Sequence, residues 1–178
     1  MRCFISIDLP AETKKEIERI QQQLPKDAKY IFVKPEIVHL TLKFLGDIDE
    51  MKTEAVKAVM KKINFKKFKA RLDGLSVFTP SFVKVVYLNI EPKDEFSKLH
   101  AVADKLISLE NFELDREWES HATLARVKFL RDKRKFLDEI SKIKTAPIEF
   151  IVDKLILKKS VLTEKGPIYE DLMSVKLG

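Results

Sequence analysis

Two of the three histidines stand in nearly identical segments: His39 begins His-Leu-Thr-Leu and His121 begins His-Ala-Thr-Leu. Residues two apart in a β-strand share a face, so each segment would present an imidazole beside the hydroxyl of Thr41 or Thr123. An unperturbed imidazole titrates near pH 6.5, so that one can accept a proton while another donates one. The pattern therefore favours acid–base catalysis by two histidines.

A phosphodiester suits such a pair, because an oxygen attacks phosphorus on one side while another leaves on the opposite side. Threonine hydroxyls can bind the non-bridging oxygens, and nearby cations can balance the charge that develops. A metal centre would want a third ligand and neighbouring carboxylates, which neither motif supplies on its own face. A serine nucleophile would leave the second histidine without a role. We therefore expect no metal and no cofactor.

Other residues near the motifs could contact substrate. Strict alternation places Lys43 on the face of His39, so we expect it to bind substrate, whereas it places Arg126 opposite His121. Arg126 would then reach a phosphate only through a twist or bulge in the strand. Trp118 could stack on a nucleobase or could be structural. The third histidine, His100, lies in a predicted helix without a threonine partner, which indicates a structural or surface position.

The elements that must position the motifs recur at a fixed spacing. Sliding the chain by 82 residues superimposes a proline, an amphipathic helical stripe and the His-x-Thr-Leu motif. Two similar strand–helix–strand units usually pack about a pseudo-twofold axis, which would bring both histidines to one groove. The superimposed pairs are Pro10 and Pro92, Ile17 and Leu99, Ile20 and Val102, Leu24 and Leu106, His39 and His121, Thr41 and Thr123, and Leu42 and Leu124.

Hydrophobic periodicity predicts strands that alternate with helices in a single domain, residues 1–178. A turn at residues 79–81 should join two of the strands. The predicted strands are 3–8, 30–33, 38–45, 68–78, 83–90, 121–129, 148–162 and 168–177, and the predicted helices are 11–23, 50–63, 93–108 and 132–143.

Composition narrows the class of protein. The net charge of +6 and the pI near 9.2 favour anionic partners. No apolar run approaches the roughly 20 residues that span a bilayer, and the first residues do not resemble a signal peptide. Cys3 is the only cysteine, which excludes an internal disulfide. We expect a cytoplasmic monomer that does not bind membranes.

The paired motifs resemble those of the 2H phosphoesterase superfamily, and within it the RNA 2′,3′-cyclic phosphodiesterases, also called 2′-5′ RNA ligases. The resemblance extends over nearly the whole chain. One departure is Ser120, which stands where the family usually has a proline before the second histidine. Loss of the fixed φ of proline would loosen the approach to that strand. The other matching segments are residues 1–10, 33–36, 43–46, 74–75, 78, 123–126, 160 and 166–169.

The resemblance implies an α+β, bilobal fold with two pseudo-twofold related antiparallel sheets, helices on the outer faces and a central cleft. It implies metal-independent hydrolysis of RNA 2′,3′-cyclic phosphate ends to 2′-phosphates, and in some relatives the joining of tRNA halves through 2′-5′ linkages without ATP. His39 would be the proton donor and His121 the proton acceptor, while Thr41 and Thr123 would hold phosphate oxygens. The residues alone leave two alternatives: a non-catalytic RNA-end or nucleotide-binding module, and a phosphodiesterase for a small cyclic nucleotide or a 2′-5′ oligonucleotide.

Overall fold

The computed structural model describes residues 1–78, 81–164 and 166–178, and within these ranges nine strands and four helices form an α+β fold. Residues 79 and 80 of the predicted turn lie outside them. The strands are β1 (Arg2–Asp8), β2 (Ala28–Phe32), β3 (His39–Asp47), β4 (Phe68–Phe78), β5 (Val85–Glu91), β6 (His121–Leu130), β7 (Ile148–Val152), β8 (Lys154–Thr163) and β9 (Gly166–Lys176); the helices are α1 (Thr13–Gln23), α2 (Glu50–Met60), α3 (Lys93–Ser108) and α4 (Lys133–Lys142), with a 3-10 turn at Pro35–Ile37.

The strands form an antiparallel sheet in the order β7-β4-β5-β6-β3-β1-β8-β9, with β2 also paired to β6. The two strands that begin with the motif histidines are therefore central neighbours. One residue pair, Leu40 opposite Ala122, joins β3 to β6, so the sheet divides there into two antiparallel halves. The α+β antiparallel class predicted from the family resemblance is confirmed, and the two expected sheets are the halves of one continuous nine-stranded sheet.

The helices cover the face of the sheet that is opposite the motif side chains. In α3, Phe96, Leu99, Ala103 and Ile107 recur at helical spacing and are fully buried. They belong to the same apolar core as Leu40, Leu42, Ala122 and Leu124 of the central strands. Burial of these alternate strand residues leaves His39, Thr41, His121 and Thr123 on the other face. No helix in the described ranges is long and apolar enough to cross a membrane.

The predicted strand at 148–162 is wrong in one respect. It is divided at Asp153 into β7 and β8, which pair with β4 and β1 in opposite halves of the sheet. The carbonyl of Asp153 accepts a hydrogen bond from the Leu177 amide at 2.7 Å, which holds the crossing point. Periodicity alone does not mark such a change of partner, because both segments are apolar and extended.

Candidate active site

One cleft of about 1100 Å³ is lined by both histidines and both threonines. The register explains why they meet. Leu40 lies opposite Ala122 near the beginnings of two antiparallel strands, so the flanking His39, Thr41, His121 and Thr123 come together on the same face. The two motifs therefore line one groove, as the repeat predicts.

The ring of His39 is oriented by its backbone and by two aromatic rings. Its Nδ1 donates to the carbonyl of Ile37 at 2.8 Å, because a carbonyl oxygen only accepts. Nε2 is then the nitrogen with a lone pair, and it lies 3.0 Å from Oγ1 of Thr41. Phe4 stacks on the imidazole at 4.9 Å, and Tyr169 meets it edge-on at 5.3 Å.

His121 is held in the same way. Its Nδ1 donates to the carbonyl of Glu119 at 2.8 Å, two residues earlier in the chain, so Nε2 again carries the lone pair. Phe78 contacts the ring edge-on at 4.6 Å, and Tyr87 lies 5.4 Å away. Both imidazoles thus have the same tautomer, and either can act as a base through Nε2 when neutral or as an acid when charged.

Burial lowers the pKa of both imidazoles below the usual 6.5, because desolvation penalises the charged ring. The hydrogen bonds to the carbonyls of Ile37 and Glu119 oppose this effect and raise each pKa. Charges act next: Asp8 raises the pKa of His39 while Lys158 lowers it, and Glu119 raises the pKa of His121 while Arg126 lowers it. Burial thus favours the neutral form of both rings, and the neighbouring charges adjust each ring separately.

A β-bulge follows each motif and changes which side chains reach the cleft. The β1–β3 register shifts between Ile5 and Ser6, and the β5–β6 register shifts between Val86 and Tyr87. In each central strand two successive residues are consequently buried, Leu42 with Lys43 and Leu124 with Ala125. The next residues, Phe44 and Arg126, are exposed and line the cleft.

Lys43 is therefore not a substrate contact, and the prediction that it binds substrate is wrong. Only 3% of the residue is exposed. Its Nζ lies 2.5 Å from Asp104 and 2.9 Å from Asp115, and it donates to the carbonyl of Glu113 at 2.6 Å. The bulge turns this ammonium into the interior, where carboxylates compensate its charge.

The second bulge brings the side chain of Arg126 to the cleft, whereas the first bulge removes that of Lys43 from it. Alternation places the guanidinium behind the sheet, but the structure places it on the wall of the cleft. There it can face a phosphate, which a bidentate guanidinium recognises well.

Trp118 packs behind the motifs and is not among the residues that line the cleft, so its predicted base stacking is wrong and its structural alternative fits. The indole stacks on the imidazole of His100 at 4.5 Å, and its Nε1 donates to the carbonyl of Thr41 at 3.2 Å. His100 is 8% exposed and hydrogen-bonds to Asp115 at 2.9 Å, which agrees with its predicted structural position.

Ser120 does not leave the approach to β6 loose. The residue is 2% exposed, and its hydroxyl donates to the carbonyl of Ile90 at 2.8 Å. A buried hydroxyl with a backbone partner thus fixes the chain just before His121, where the family resemblance leads one to expect a proline.

One group of possible metal ligands comes together within the described ranges, namely His100, Asp104 and Asp115. It lies behind β3 rather than in the cleft. The ammonium of Lys43 is bound to both carboxylates there. The group is thus an ion-pair network in which the lysine supplies the cation; Lys43, His100 and Asp104 are buried, and Asp115 is exposed.

Sequence reasoning missed the aromatic rings around the two histidines and several residues that line the cleft. Phe4 and Tyr169 enclose His39, and Phe78 and Tyr87 enclose His121. The alternation of faces along a strand could have indicated Phe4, because it places this residue on the same face of β1 as Ser6 and Asp8. The other missed residues that line the cleft include Arg2, Phe32, Lys34, Phe44 and Leu162.

The chain is similar over nearly its whole length to known proteins. A protein of Methanocaldococcus jannaschii named RNA 2′,3′-cyclic phosphodiesterase is 34% identical over 172 residues, which cover 96% of this chain and 97% of that one. A protein of the same name from Methanothermobacter thermautotrophicus is 32% identical over 182 residues, covering 99% of each chain.

Solved structures share the fold. TT0787 of Thermus thermophilus has a TM-score of 0.80 and 25% identity, covering 99% of this chain and 98% of that one. E. coli LigT complexed with 3′-AMP has a TM-score of 0.78 and 24% identity, covering 99% and 97%. Residues 9–162 match the sequence model of the 2′-5′ RNA ligase superfamily, and the chain belongs to that family.

Proposed function

We propose that this protein is an RNA 2′,3′-cyclic phosphodiesterase that opens terminal cyclic phosphates to 2′-phosphates without a metal. One observation carries the proposal: two His-x-Thr pairs line the same cleft, and each imidazole has its Nε2 lone pair set by an Nδ1 bond to a backbone carbonyl. The names of the relatives support the same substrate class.

The reaction follows from the two imidazoles. His121 accepts a proton at Nε2 from water, whose oxygen attacks phosphorus and forms the new P–O bond. The bond from phosphorus to the ribose O3′ breaks, and His39, protonated at Nε2, gives its proton to O3′. The products are a 2′-phosphate and a free 3′-hydroxyl. Each turnover consumes one water, and proton exchange with solvent restores both rings.

The remaining cleft groups bind the phosphate. The hydroxyls of Thr41 and Thr123 donate to its non-bridging oxygens, and the guanidinium of Arg126 balances the negative charge that builds up in the transition state. Each threonine lies next to a motif histidine, so the hydroxyls and the proton carriers act on the same phosphorus.

The same arrangement can join RNA ends. A 5′-hydroxyl in place of water would lose its proton to His121 and attack phosphorus, while O3′ leaves with the proton of His39; the product is a 2′-5′ linkage, and no ATP is consumed. Ligation of tRNA halves and a cytoplasmic, monomeric state stay predictions of this proposal.

The strand order and the two bulges also support the predicted internal repeat across residues 1–178. About the β3–β6 junction the strand order pairs β5 with β1, β4 with β8, and β7 with β9. The two bulges fall at residues that are 82 positions apart, Lys43 and Ala125. Superposition of residues 2–78 on 84–160 tests the repeat, since a true repeat would align the paired strands within about 2 Å.

A short RNA ending in a 2′,3′-cyclic phosphate tests the function. We expect conversion to a 2′-phosphate in the presence of a chelator, and loss of conversion in His39→Ala and in His121→Ala. Binding that persists in the double variant, with no product from the wild type, would favour the non-catalytic alternative. Faster turnover of a mononucleoside cyclic phosphate or a 2′-5′ oligonucleotide would favour the other alternative.

A further inference from the structure

The two catalytic histidines have different neighbours across the ladder. The β1–β3 register places Asp8 opposite His39, and the β5–β6 register places Asn89 opposite His121. Both neighbours occupy the same position, on the adjacent outer strand and level with the first residue of the motif. A carboxylate at one position and an amide at the other break the symmetry of an otherwise matched pair.

The charges around His39 favour a proton there. Asp8 is bound by Lys158 at 3.2 Å, and the same ammonium binds Asp171 at 2.6 Å. Lys158 is 8% exposed, whereas the side chains of Asp8 and Asp171 are 41% and 58% exposed. The carboxylate of Asp8 raises the pKa of His39 more than the ammonium of Lys158 lowers it, so this ion pair on balance favours the charged imidazole.

The cross-strand neighbour of His121 carries no charge. The side-chain amide of Asn89 donates to Oγ of Ser76 at 2.9 Å and to the carbonyl of Gly74 at 3.3 Å, and it carries no charge. Glu119 forms an ion pair with Lys93. Glu119 raises the pKa of His121 and the guanidinium of Arg126 lowers it, so these two charges oppose each other.

Further ionisable groups face the cleft from the elements packed around it. These groups are Arg2 and Cys3 of β1, Lys34 before β3, Glu164 between β8 and β9, and Tyr169 of β9, together with the two histidines themselves. Tyr169 contacts the ring of His39, and Tyr87 of β5 contacts the ring of His121.

We propose that Asp8 is a positioning residue that keeps the catalytic proton on His39, and that Asn89, at the matching position, leaves His121 neutral to act as the base. The inference rests on the proposed function and deepens it. The cross-strand neighbour thereby decides which of two nearly identical motifs supplies the acid. The bonds formed and broken are those of the hydrolysis described above.

Histidine titration by NMR, together with the pH dependence of kcat/KM on a cyclic-phosphate RNA, tests this assignment. Asp8→Asn should lower the midpoint of His39 by about 0.5 to 1 pH unit and leave His121 within about 0.2 of its value. The alkaline limb of kcat/KM reports the acid in the free enzyme, and it should move down by the same amount. Asp47→Asn is the matched control, because Asp47 lies opposite Arg2, six residues along the same ladder and about 20 Å away. It should move neither midpoint.

The reciprocal variant Asn89→Asp should raise the titration midpoint of His121. The low-pH limb of kcat/KM, which reports this base, should then move to higher pH. The amide of Asn89 holds Ser76 and Gly74, so thermal unfolding first establishes that this variant is folded; if it is not, Asp8→Asn and Asp47→Asn decide alone. The proposal would be overturned if Asp8→Asn left the midpoint of His39 unmoved. It would also be overturned if this variant shifted the low-pH limb of kcat/KM instead of the alkaline limb. If the protein hydrolyses the RNA but the titration midpoint of His39 does not move, the proposed function stands and the role of Asp8 falls. If the midpoint moves as expected but the wild type hydrolyses nothing, the function falls and the role of Asp8 in placing the proton stands.

Discussion

The indole Nε1 of Trp118 donates to the backbone carbonyl of Thr41 at 3.2 Å. Trp118 belongs to the segment that leads into β6 and His121, whereas Thr41 belongs to the first motif on β3. One hydrogen bond therefore ties the approach of one motif to the backbone of the other. Stacking on His100, which is itself bound to Asp115, holds the indole in place.

Trp118→Phe tests this tie. The variant keeps an aromatic ring on His100 but removes the donor, so the two motifs should lose part of their relative alignment. We expect kcat to fall about tenfold with KM within about twofold, because misplacement affects the transition state more than ground-state binding. Steady-state kinetics measure the split between the two parameters.

The control for Trp118→Phe is its thermal unfolding. A melting temperature close to that of the wild type with reduced kcat agrees with an alignment role. Equal losses of kcat and of folded protein, or unchanged kcat, would show that the hydrogen bond does not align the motifs.

Lys43→Met should destabilise the protein. It would leave the carboxylates of Asp104 and Asp115 behind β3 without their ammonium, and breaking a buried ion pair in this way costs about 3 to 5 kcal/mol. Urea unfolding measures the loss. The matched control is Lys142→Met, whose partner Asp138 is exposed, and which should change the unfolding free energy by less than about 1 kcal/mol. Equal effects of the two variants would contradict the buried network.

Arg126→Ala should weaken catalysis, because the bulge brings this guanidinium into the cleft. We expect kcat/KM to fall about 10²-fold, since a cation aimed at a phosphate acts mainly in the transition state. Arg126→Lys should restore part of the rate through its charge and not through bidentate geometry. Arg131→Ala, just past the end of β6 and not among the cleft residues, is the control and should remain near wild type. An unaffected Arg126→Ala would mean that the guanidinium does not reach the substrate.

The pH dependence of kcat/KM should be a bell whose two limbs lie below pH 6.5. Activity rises as the base His121 loses its proton and falls as the acid His39 loses its own. Burial lowers the pKa of both rings, so both limbs shift toward lower pH than for unperturbed imidazoles. Stopped or continuous assays between about pH 4 and 9 measure the profile. A rate that keeps rising beyond pH 8 would point to hydroxide or another base.

Much of the fold and the chemical centre could be predicted from the sequence. The alternation in residues 38–45 and 121–129, and the equal spacing of their histidines, place His39, Thr41, His121 and Thr123 correctly, because period and burial agree over the first four residues of each strand. The prediction fails immediately afterwards, at Lys43 and Arg126.

Those failures have a physical cause. Neither bulge contains a glycine or proline, and the shift arises where β1 and β5 pair with the central strands, which is a tertiary effect. The division of 148–162 at Asp153 is of the same kind, since it depends on which strand each half meets. The role of Asp8 also needed the register, because nothing local in the first ten residues places it opposite His39.

The proposed catalysis depends most on two imidazoles that act in concert on one phosphate. The most direct measurement is kcat on a cyclic-phosphate RNA for His39→Ala, His121→Ala and the double variant, all with chelator present and with folding verified. We predict that each single variant loses about 10²- to 10⁴-fold and that the double variant loses far less than the product of the two losses, because either change already breaks the shared proton transfer. A single variant with near wild-type activity, or losses that multiply, would contradict it.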